Sequence, residues 1–405
     1  MRSYSIVVII VLCLAILTLD VITFYWLQSI TQLVVSSLFN MLINILFWIF
    51  TIGLVTAILV LKIRIESISP KRRQRLISSI YGLTVSSFIP KFIFVIVVTT
   101  LYATNYVFSD TESLIVVPLL GLLSGFLPFF VIVYSIFRSL YRFKVHRVRL
   151  GFDNLPKHFH GLRIVQVSDI HLGSFNSRYH IFDRAVRMIN HLEPDLIFFT
   201  GDLVNNFAWE LRGWKSTFDQ LKAKKGKYAV LGNHDYGDYS EWSSEEDKQD
   251  NFNAIKIFIN EIGFRILLNE AVILDNNNEH IAIVGVENWG SPPFKQYGDL
   301  TIALKNVNEV GFKILLSHDP SHWKEEVVLK TNIDLTLSGH THGMQAGINL
   351  KTKKWSPIKY KYEYWAGLYN IEQQYLYVNR GLGWLGFPGR LGMRPEITFI
   401  ELETN

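Results

Sequence analysis

The sequence predicts two regions of different kind: an all-α bundle of about four transmembrane helices, then a layered α/β domain with mixed sheets. Three observations predict this. The apolar surplus of the chain lies before about residue 140; mixed charge and turn chemistry follow; and short apolar strands then alternate with helices, turning more β-rich toward the end. A length of 405 residues accommodates two domains, and 49% apolar residues with a mean hydropathy of +0.21 is high for a wholly soluble protein.

Residues 4–27, 36–61, 83–107 and 114–137 are four apolar runs, each reaching the ~20 residues that cross a ~30 Å hydrocarbon core. The first has no charged leader beyond Arg2 and no clear small-residue cleavage site, so it reads as an uncleaved helix. Pro90 and Lys91 interrupt the third, which predicts a span starting near Phe92 and an interfacial helix over 76–89. Asp20, Asn40 and Asn44 lie in or near the spans. Asp20, near a helix end, reads as interfacial or as a helix-pairing group rather than a transport site, and neither an inverted repeat nor matched broken helices suggest a transporter.

Positive charge orients the bundle. Lys62, Arg64, Lys71, Arg72, Arg73 and Arg75 follow the second span, and Arg138, Arg142, Lys144, Arg147 and Arg149 follow the fourth. The third and fourth spans are joined through Asp110 and Glu112. With four spans the alternation places both ends inside, with the C-terminal domain on the cytoplasmic face of the membrane.

The pI of about 9.0 does not indicate a nucleic-acid partner. Residues 1–150 carry net +9 and residues 151–405 net −4, so the basic excess flanks the membrane and the soluble part is mildly acidic. The single cysteine, Cys13, excludes an intrachain disulfide and any Cys-based zinc or redox motif.

The domain division is therefore 1–140 for the membrane region, 141–160 for a basic juxtamembrane linker and 161–405 for the soluble domain. In the last, strands are predicted at 162–168, 196–200, 228–231, 265–268, 271–274, 281–286, 314–317 and 335–338. Helices are predicted at 178–192 and 252–262, and 375–401 reads as strand, Gly-rich turns, strand.

Chemistry collects where these strands end. Asp169 and His171 follow the first strand, Asp202 the second, Asn233, His234 and Asp235 the third, His318 another, and His340 and His342 the next. Five strands thus deliver Asp, Asn or His at their carboxyl ends, the rim where open α/β sheets bind ligands. Oxygen and imidazole donors without thiolate suit Mn, Zn, Fe or Co rather than a structural zinc finger. The pairs Asp169/His171 and His340/His342 are expected to point the same way from extended segments. Asp202 has two oxygens and can bridge, so the set suits two ions in one site.

In order, Asp169-x-His171, Gly201-Asp202, Gly232-Asn233-His234-Asp235, His318 and Gly339-His340-Thr341-His342 resemble the five-block signature of the calcineurin-like metallophosphoesterases, over about 160–405. Tyr377–Gly383 and Arg394–Thr398 resemble the bacterial membrane-associated branch. The resemblance implies a four-layer αββα sandwich and two divalent metal ions. It implies Asp169, His171, Asp202 and His342 at one ion, and Asp202, Asn233, His318 and His340 at the other. His234 is implied as general acid or phosphate-charge stabiliser beside the bridging Asp202.

The expected activity is hydrolysis of a phosphodiester, pyrophosphate or phosphomonoester by metal-activated hydroxide. The tether favours a lipid or nucleotide-lipid substrate in the bilayer, by analogy with the UDP-diacylglucosamine hydrolases of the family. No nucleic-acid partner is expected, and oligomeric state is not legible. The alternative is a membrane signalling or scaffold protein with a catalytically degenerate metal-binding domain.

Outside the blocks the readings divide. His322 is an outer-shell group or a helix-start residue, Arg380 a phosphate or a carboxylate partner, and His180 structural. The Lys/Trp/Tyr segment 351–365 suits a membrane interface or a plain hairpin. The acidic run Glu241–Asp250 suits a flap over the site or a solvated face.

Overall fold

A computed structural model describes residues 5–34, 36–108, 113–292, 294–349 and 354–405. The chain divides into two compact units. One holds the helices up to Phe137 together with the short segment Gly386–Gly389; the other holds Arg138–Leu385 and Arg390–Asn405.

The helical unit consists of α1 (Ile6–Val34), α2 (Ser37–Arg64), α3 (Pro70–Phe108) and α4 (Ser113–Phe137). All four are long and apolar enough to cross a membrane. The loop carboxylates Asp110 and Glu112 lie outside the described residues. The expected interruption of the third span is absent: α3 runs through Pro90 as one helix of 39 residues. Proline removes one backbone hydrogen bond, and α3 is packed on both sides of it, Phe88 against Cys13, Ile16, Leu54 and Ile58, and Phe94 and Val98 against Ile30. A Cβ on Gly121 would meet Val98 at 2.5 Å and one on Gly125 would meet Phe94 at 3.4 Å. These small residues let α3 and α4 approach closely.

Polar pairs tie the helices to one another. Asp20 is 1% exposed and sits mid-way along α1 rather than near its end. Its carboxylate accepts from Lys91 Nζ at 2.8 Å and from the Thr51 hydroxyl, so it joins α1, α2 and α3. The Thr31 hydroxyl donates to Asn40 Oδ1 at 2.9 Å, Gln28 hydrogen-bonds Asn44, and Trp26 Nε1 donates to Thr99 Oγ1 at 3.1 Å. The helix-pairing reading of Asp20 accounts for what is seen.

The second unit is built on two six-stranded sheets. The first runs β1 (Lys144–Phe152), β14 (Glu396–Thr404), β2 (Leu162–Val167), β3 (Leu196–Thr200), β4 (Gly226–Val230) and β5 (Arg265–Ile266). The second runs β12 (Gly367–Ile371), β13 (Gln374–Val378), β9 (Leu335–Ser338), β8 (Lys313–Leu316), β7 (Glu279–Gly285) and β6 (Glu270–Asn276). A short antiparallel pair, β10 (Ile348–Asn349) and β11 (Lys354–Trp355), stands apart.

Strand period sorts the side chains into layers. Leu196 and Phe198 of β3 face the core between the sheets, with Ile283, Leu316 and Leu337 of the second sheet. Ile197 and Phe199 face the other way, into a core shared with Phe182 and Ile189 of α5 (Ile181–His191), Phe218 of α6 (Lys215–Phe218) and Ile255 and Ile259 of α7 (Glu245–Glu261). The outer face of the second sheet packs Val284 and Leu315 against Leu300 and Ala303 of α8 (Leu300–Leu304), and against Trp323. This is the αββα arrangement that the resemblance implies.

One segment differs from the sequence reading, while in the acidic run Glu241–Asp250 the solvated-face alternative holds, with most of its residues exposed. Within 141–160, expected as linker, β1 forms and pairs in parallel with β14. Its alternating basic residues decorate an edge strand, where charge discourages further pairing, and so disguise it as a juxtamembrane stretch. Within the acidic run Glu241–Asp250, Ser244 caps α7, accepting from the Asp247 N–H at 3.0 Å. Glu245, Glu246 and Asp247 then occupy the first turn, where the helix dipole favours negative charge. In 351–365, residues 351–353 lie outside the described residues, and the remainder begins with β11.

Candidate metal centre

The strands that carry the chemistry run in parallel within their sheets: β2, β3 and β4 in the first, β8 and β9 in the second. Their carboxyl ends therefore share a rim, and the chain turns sharply on leaving each. Asp169, His171, Asp202, His340 and His342 all have positive φ, between 50° and 70°. The expectation that paired residues align through extended backbone is thus corrected. Left-handed turns aim them, a conformation that non-glycine residues hold only where surrounding structure imposes it.

Glycines make room for those turns. A Cβ at Gly339 would lie 2.3 Å from Asp169 Oδ2, and one at Gly201, where φ is +94°, would lie 2.5 Å from the Gly232 backbone nitrogen. The buried carboxylate of Asp235 holds the same loops, accepting from the N–H groups of Asp202 (2.9 Å), Leu203 (2.8 Å) and Gly232 (2.9 Å).

Two donor clusters result. In the first, Asp169 Oδ1 is 3.2 Å from His342 Nε2, which is 3.1 Å from His171 Nε2. In the second, His318 Nε2 is 3.2 Å from Asn233 Oδ1, and His340 Nδ1 is 2.8 Å from that oxygen. One atom serves both clusters: Asp202 Oδ2 is 3.6 Å from His171 Nε2 and 3.2 Å from His318 Nε2. All seven residues considered as ligands are brought together.

The spacing fits divalent ions. Two ligands ~2.1 Å from a common ion at roughly 90–109° lie about 3.0–3.4 Å apart, close to the separations here. Electrostatics agree for three of the four histidines. Burial pushes His171 down to about 3 and His340 to about 4, and lowers His342 strongly, with His171 and Arg390 adding to the effect. Their ring nitrogens therefore keep free lone pairs, the form that binds metal. Burial pushes Asp169 up to about 7. Burial also opposes charge on His318 and Asp202, yet their mutual attraction wins, with His318 raised to about 10 and Asp202 held well below its usual range. At His318 a metal ion would take the place of that proton.

His234 adjoins the clusters through backbone and ring. Its N–H donates to Asp202 Oδ1 at 2.9 Å, leaving Oδ2 for the shared position. Its Nδ1 lies 2.8 Å from the Asn205 carbonyl and must carry the proton there, because a carbonyl only accepts. Its ring centroid lies 5.1 Å from that of His171.

Several neighbours carried no mark as site residues. Tyr362 Oη is 2.7 Å from His340 Nε2, and buried Asp319 Oδ2 is 3.5 Å from the same nitrogen, so both occupy that edge of the ring and leave Nδ1 facing Asn233. Tyr239 Oη accepts from Asn233 Nδ2 at 2.8 Å, turning Oδ1 toward the imidazoles. Arg390, fully buried, places Nη2 3.3 Å from His342 Nδ1. Asp319 follows His318 directly and was legible as a neighbour. Tyr239, Tyr362 and Arg390 stand in no motif.

The remaining candidates resolve. His322 is buried between Ser317 Oγ (2.9 Å) and Glu326 (3.1 Å), away from the donor clusters. Arg380 pairs with the buried carboxylate of Glu396. His180 is an exposed residue ahead of α5, 3.4 Å from Asp183.

A model of the calcineurin-like phosphoesterase family matches residues 162–344. The chain is 33% identical over 272 residues to a transmembrane protein with metallophosphoesterase domain from Bos taurus, covering 64% of this chain and 57% of that one. It is 31% identical over 261 residues to the uncharacterized metallophosphoesterase YkuE of Bacillus subtilis, covering 62% and 82%. It is 29% identical over 279 residues to the UDP-2,3-diacylglucosamine pyrophosphatase LpxG of Chlamydia muridarum, covering 56% and 81%. The chain spans about three fifths of the length of the vertebrate transmembrane relatives it matches.

Proposed function

This chain belongs to the calcineurin-like phosphoesterases, and from that premise we propose that it is a membrane-anchored hydrolase of phosphoester or pyrophosphate bonds that uses two divalent metal ions. The observation that carries the reading is the single oxygen Asp202 Oδ2 within reach of both donor clusters. A shared carboxylate is what a pair of ions ~3.5–4 Å apart requires.

Asp169, His171, Asp202 and His342 would hold one ion, and Asp202, Asn233, His318 and His340 the other. When bound, the ions would supply Lewis-acid polarisation of a phosphoryl oxygen and acidification of water. The protein's own contributions follow from its hydrogen bonds. The Asn205 carbonyl keeps a proton on His234 Nδ1, so Nε2 is the atom that exchanges one, and it serves as general acid toward the leaving oxygen. Asp319 and Tyr362 hold His340 with Nδ1 presented, and Asp235 fixes the loop that carries Asp202.

The substrate class we favour is lipid-linked. Two facts support it: the similarity to LpxG, whose name states a pyrophosphatase of a diacylated sugar nucleotide, and four helices long and apolar enough to cross a membrane. The basic residues after α2 and around the end of α4 support a cytoplasmic C-terminal unit in a cell membrane.

The test is hydrolysis of bis-p-nitrophenyl phosphate and p-nitrophenyl phosphate by detergent-purified full-length chain, chelated and then given Mn, Zn or Mg. Expected are metal-dependent turnover, its loss with reduced bound metal in Asp202→Asn, and a drop of about 10²–10⁴-fold in His234→Ala. Full metal loading without hydrolysis of either probe or of a diacylated sugar-nucleotide pyrophosphate would overturn the reading.

A further inference from the structure

The helical unit contains a cavity of about 780 Å³, within the roughly 300–1,000 Å³ of ligand sites. Its walls are mostly apolar, with Phe47, Phe126 and Val133 among them, but one wall is a polar-dotted face of α3 bearing Ser79, Ser86, Ser87 and Lys91. From Ser79 to Phe94 that wall runs roughly 22 Å at 1.5 Å per residue.

The polar groups are not equivalent. Lys91 is already neutralised, its Nζ 2.8 Å from Asp20 Oδ1 and 4.6 Å from the centre of the Phe47 ring. It offers no free charge. The hydroxyls of Ser79, Ser86 and Ser87 have no hydrogen-bond partner among the described residues. In an apolar surrounding such groups call for a polar ligand atom.

The same face of α3 continues toward its N-terminus through Arg75 and Arg72, four and seven residues before Ser79. Both arginines are exposed, and neither has an ion-pair partner among the described residues. An apolar slot studded with hydroxyls thus ends at two uncompensated positive charges. A water-soluble anion would match the arginines and leave the apolar walls uncovered; a neutral hydrocarbon would match the walls and ignore the charges. Only an amphiphile with a long chain and an anionic head matches both.

We propose that this slot is a binding site for one anionic glycerophospholipid, its acyl chain along α3 and α4 and its phosphate on Arg72 and Arg75. The binding involves no bond chemistry and does not depend on the hydrolase reading, because its readout is mass rather than turnover.

The test is native mass spectrometry of the full-length chain in mild detergent, titrated with dioleoylphosphatidylglycerol or dioleoylphosphatidylcholine. The expected result is one retained phosphatidylglycerol per chain, held about tenfold or more tightly than phosphatidylcholine. Arg72→Gln with Arg75→Gln should erase that preference, roughly fivefold per arginine, with helicity by circular dichroism unchanged. Ser86→Phe should fill the slot and abolish retention of the bound lipid. Because Ser86→Phe risks misfolding, the two exposed arginine changes stand as the independent arm. Equal retention of both lipids, continuous addition without saturation at one, or a lipid-free dimer occluding the slot would each overturn the proposal.

Discussion

At the scale of single residues, the buried pair Arg380–Glu396 shows how a charge near a metal site can be wholly structural. Arg380 is 3% exposed and Glu396 is fully buried, where the Tyr377 hydroxyl also donates to it. Burial works to raise Glu396, but the Arg380 guanidinium dominates and holds it down at about 2. A depressed carboxyl contributes stability above its ordinary value of 4.5, lost as pH falls toward about 2. Arg380→Met should therefore destabilise the fold by about 3–5 kcal/mol at neutral pH, since it strands a buried carboxylate. Adding Glu396→Gln should recover much of that loss. Thermal unfolding checks both, and the gap between native chain and Arg380→Met should narrow as pH falls from 4.5 toward 2.

At the scale of elements, strand ends and helix starts do most of the positioning. Ser244→Ala removes the cap of α7 and should cost ~1 kcal/mol in unfolding free energy, with little change in bound metal, because α7 packs on the core rather than on the donor clusters. A substitution in the strand-end turn should behave the opposite way. In Gly201→Ala the new Cβ would meet the Gly232 nitrogen at 2.5 Å and His318 Nδ1 at 2.7 Å, with φ at +94°. Elemental analysis of the purified variant should show metal lost even where the fold survives, and a fully loaded Gly201→Ala would show that this turn is not what sets the site. The acidic first turn of α7 and the edge strand β1 share a lesson. Charged runs can be solvated and still belong to regular structure, since a helix N-terminus and a sheet edge are both places where charge is favoured.

At the scale of the whole molecule, charge asymmetry carries the topology. Lys62 and Arg64 close α2, Lys71, Arg72, Arg73 and Arg75 open α3, and Arg138 and Arg142 follow α4. With four crossings, the orientation we propose puts both termini on the cytoplasmic side. Protease added to sealed right-side-out vesicles should leave the C-terminal unit intact, and inverted vesicles should lose it; the reverse pattern would refute the orientation. Neutralising Lys71, Arg72, Arg73 and Arg75 together should produce a mixed pattern if these charges set it.

The sequence alone determined the division into an apolar helical region and an α/β unit, the strand-by-strand delivery of Asp, Asn and His, and the seven residues that the two clusters contain. These were legible because hydropathy and period are local properties, and because a donor at the end of each parallel strand reaches a common rim whatever the packing details. The tertiary structure decided what local pattern does not encode. It aimed the donors through left-handed turns rather than pleated strands, brought Tyr239, Tyr362 and Arg390 from outside the motifs to the imidazoles and Asn233, and paired Arg380 with Glu396. It also kept α3 continuous through Pro90. Each of these depends on which distant atoms fill the space beside a residue, so close packing, not spacing along the chain, is the physical reason they appear only in the folded molecule.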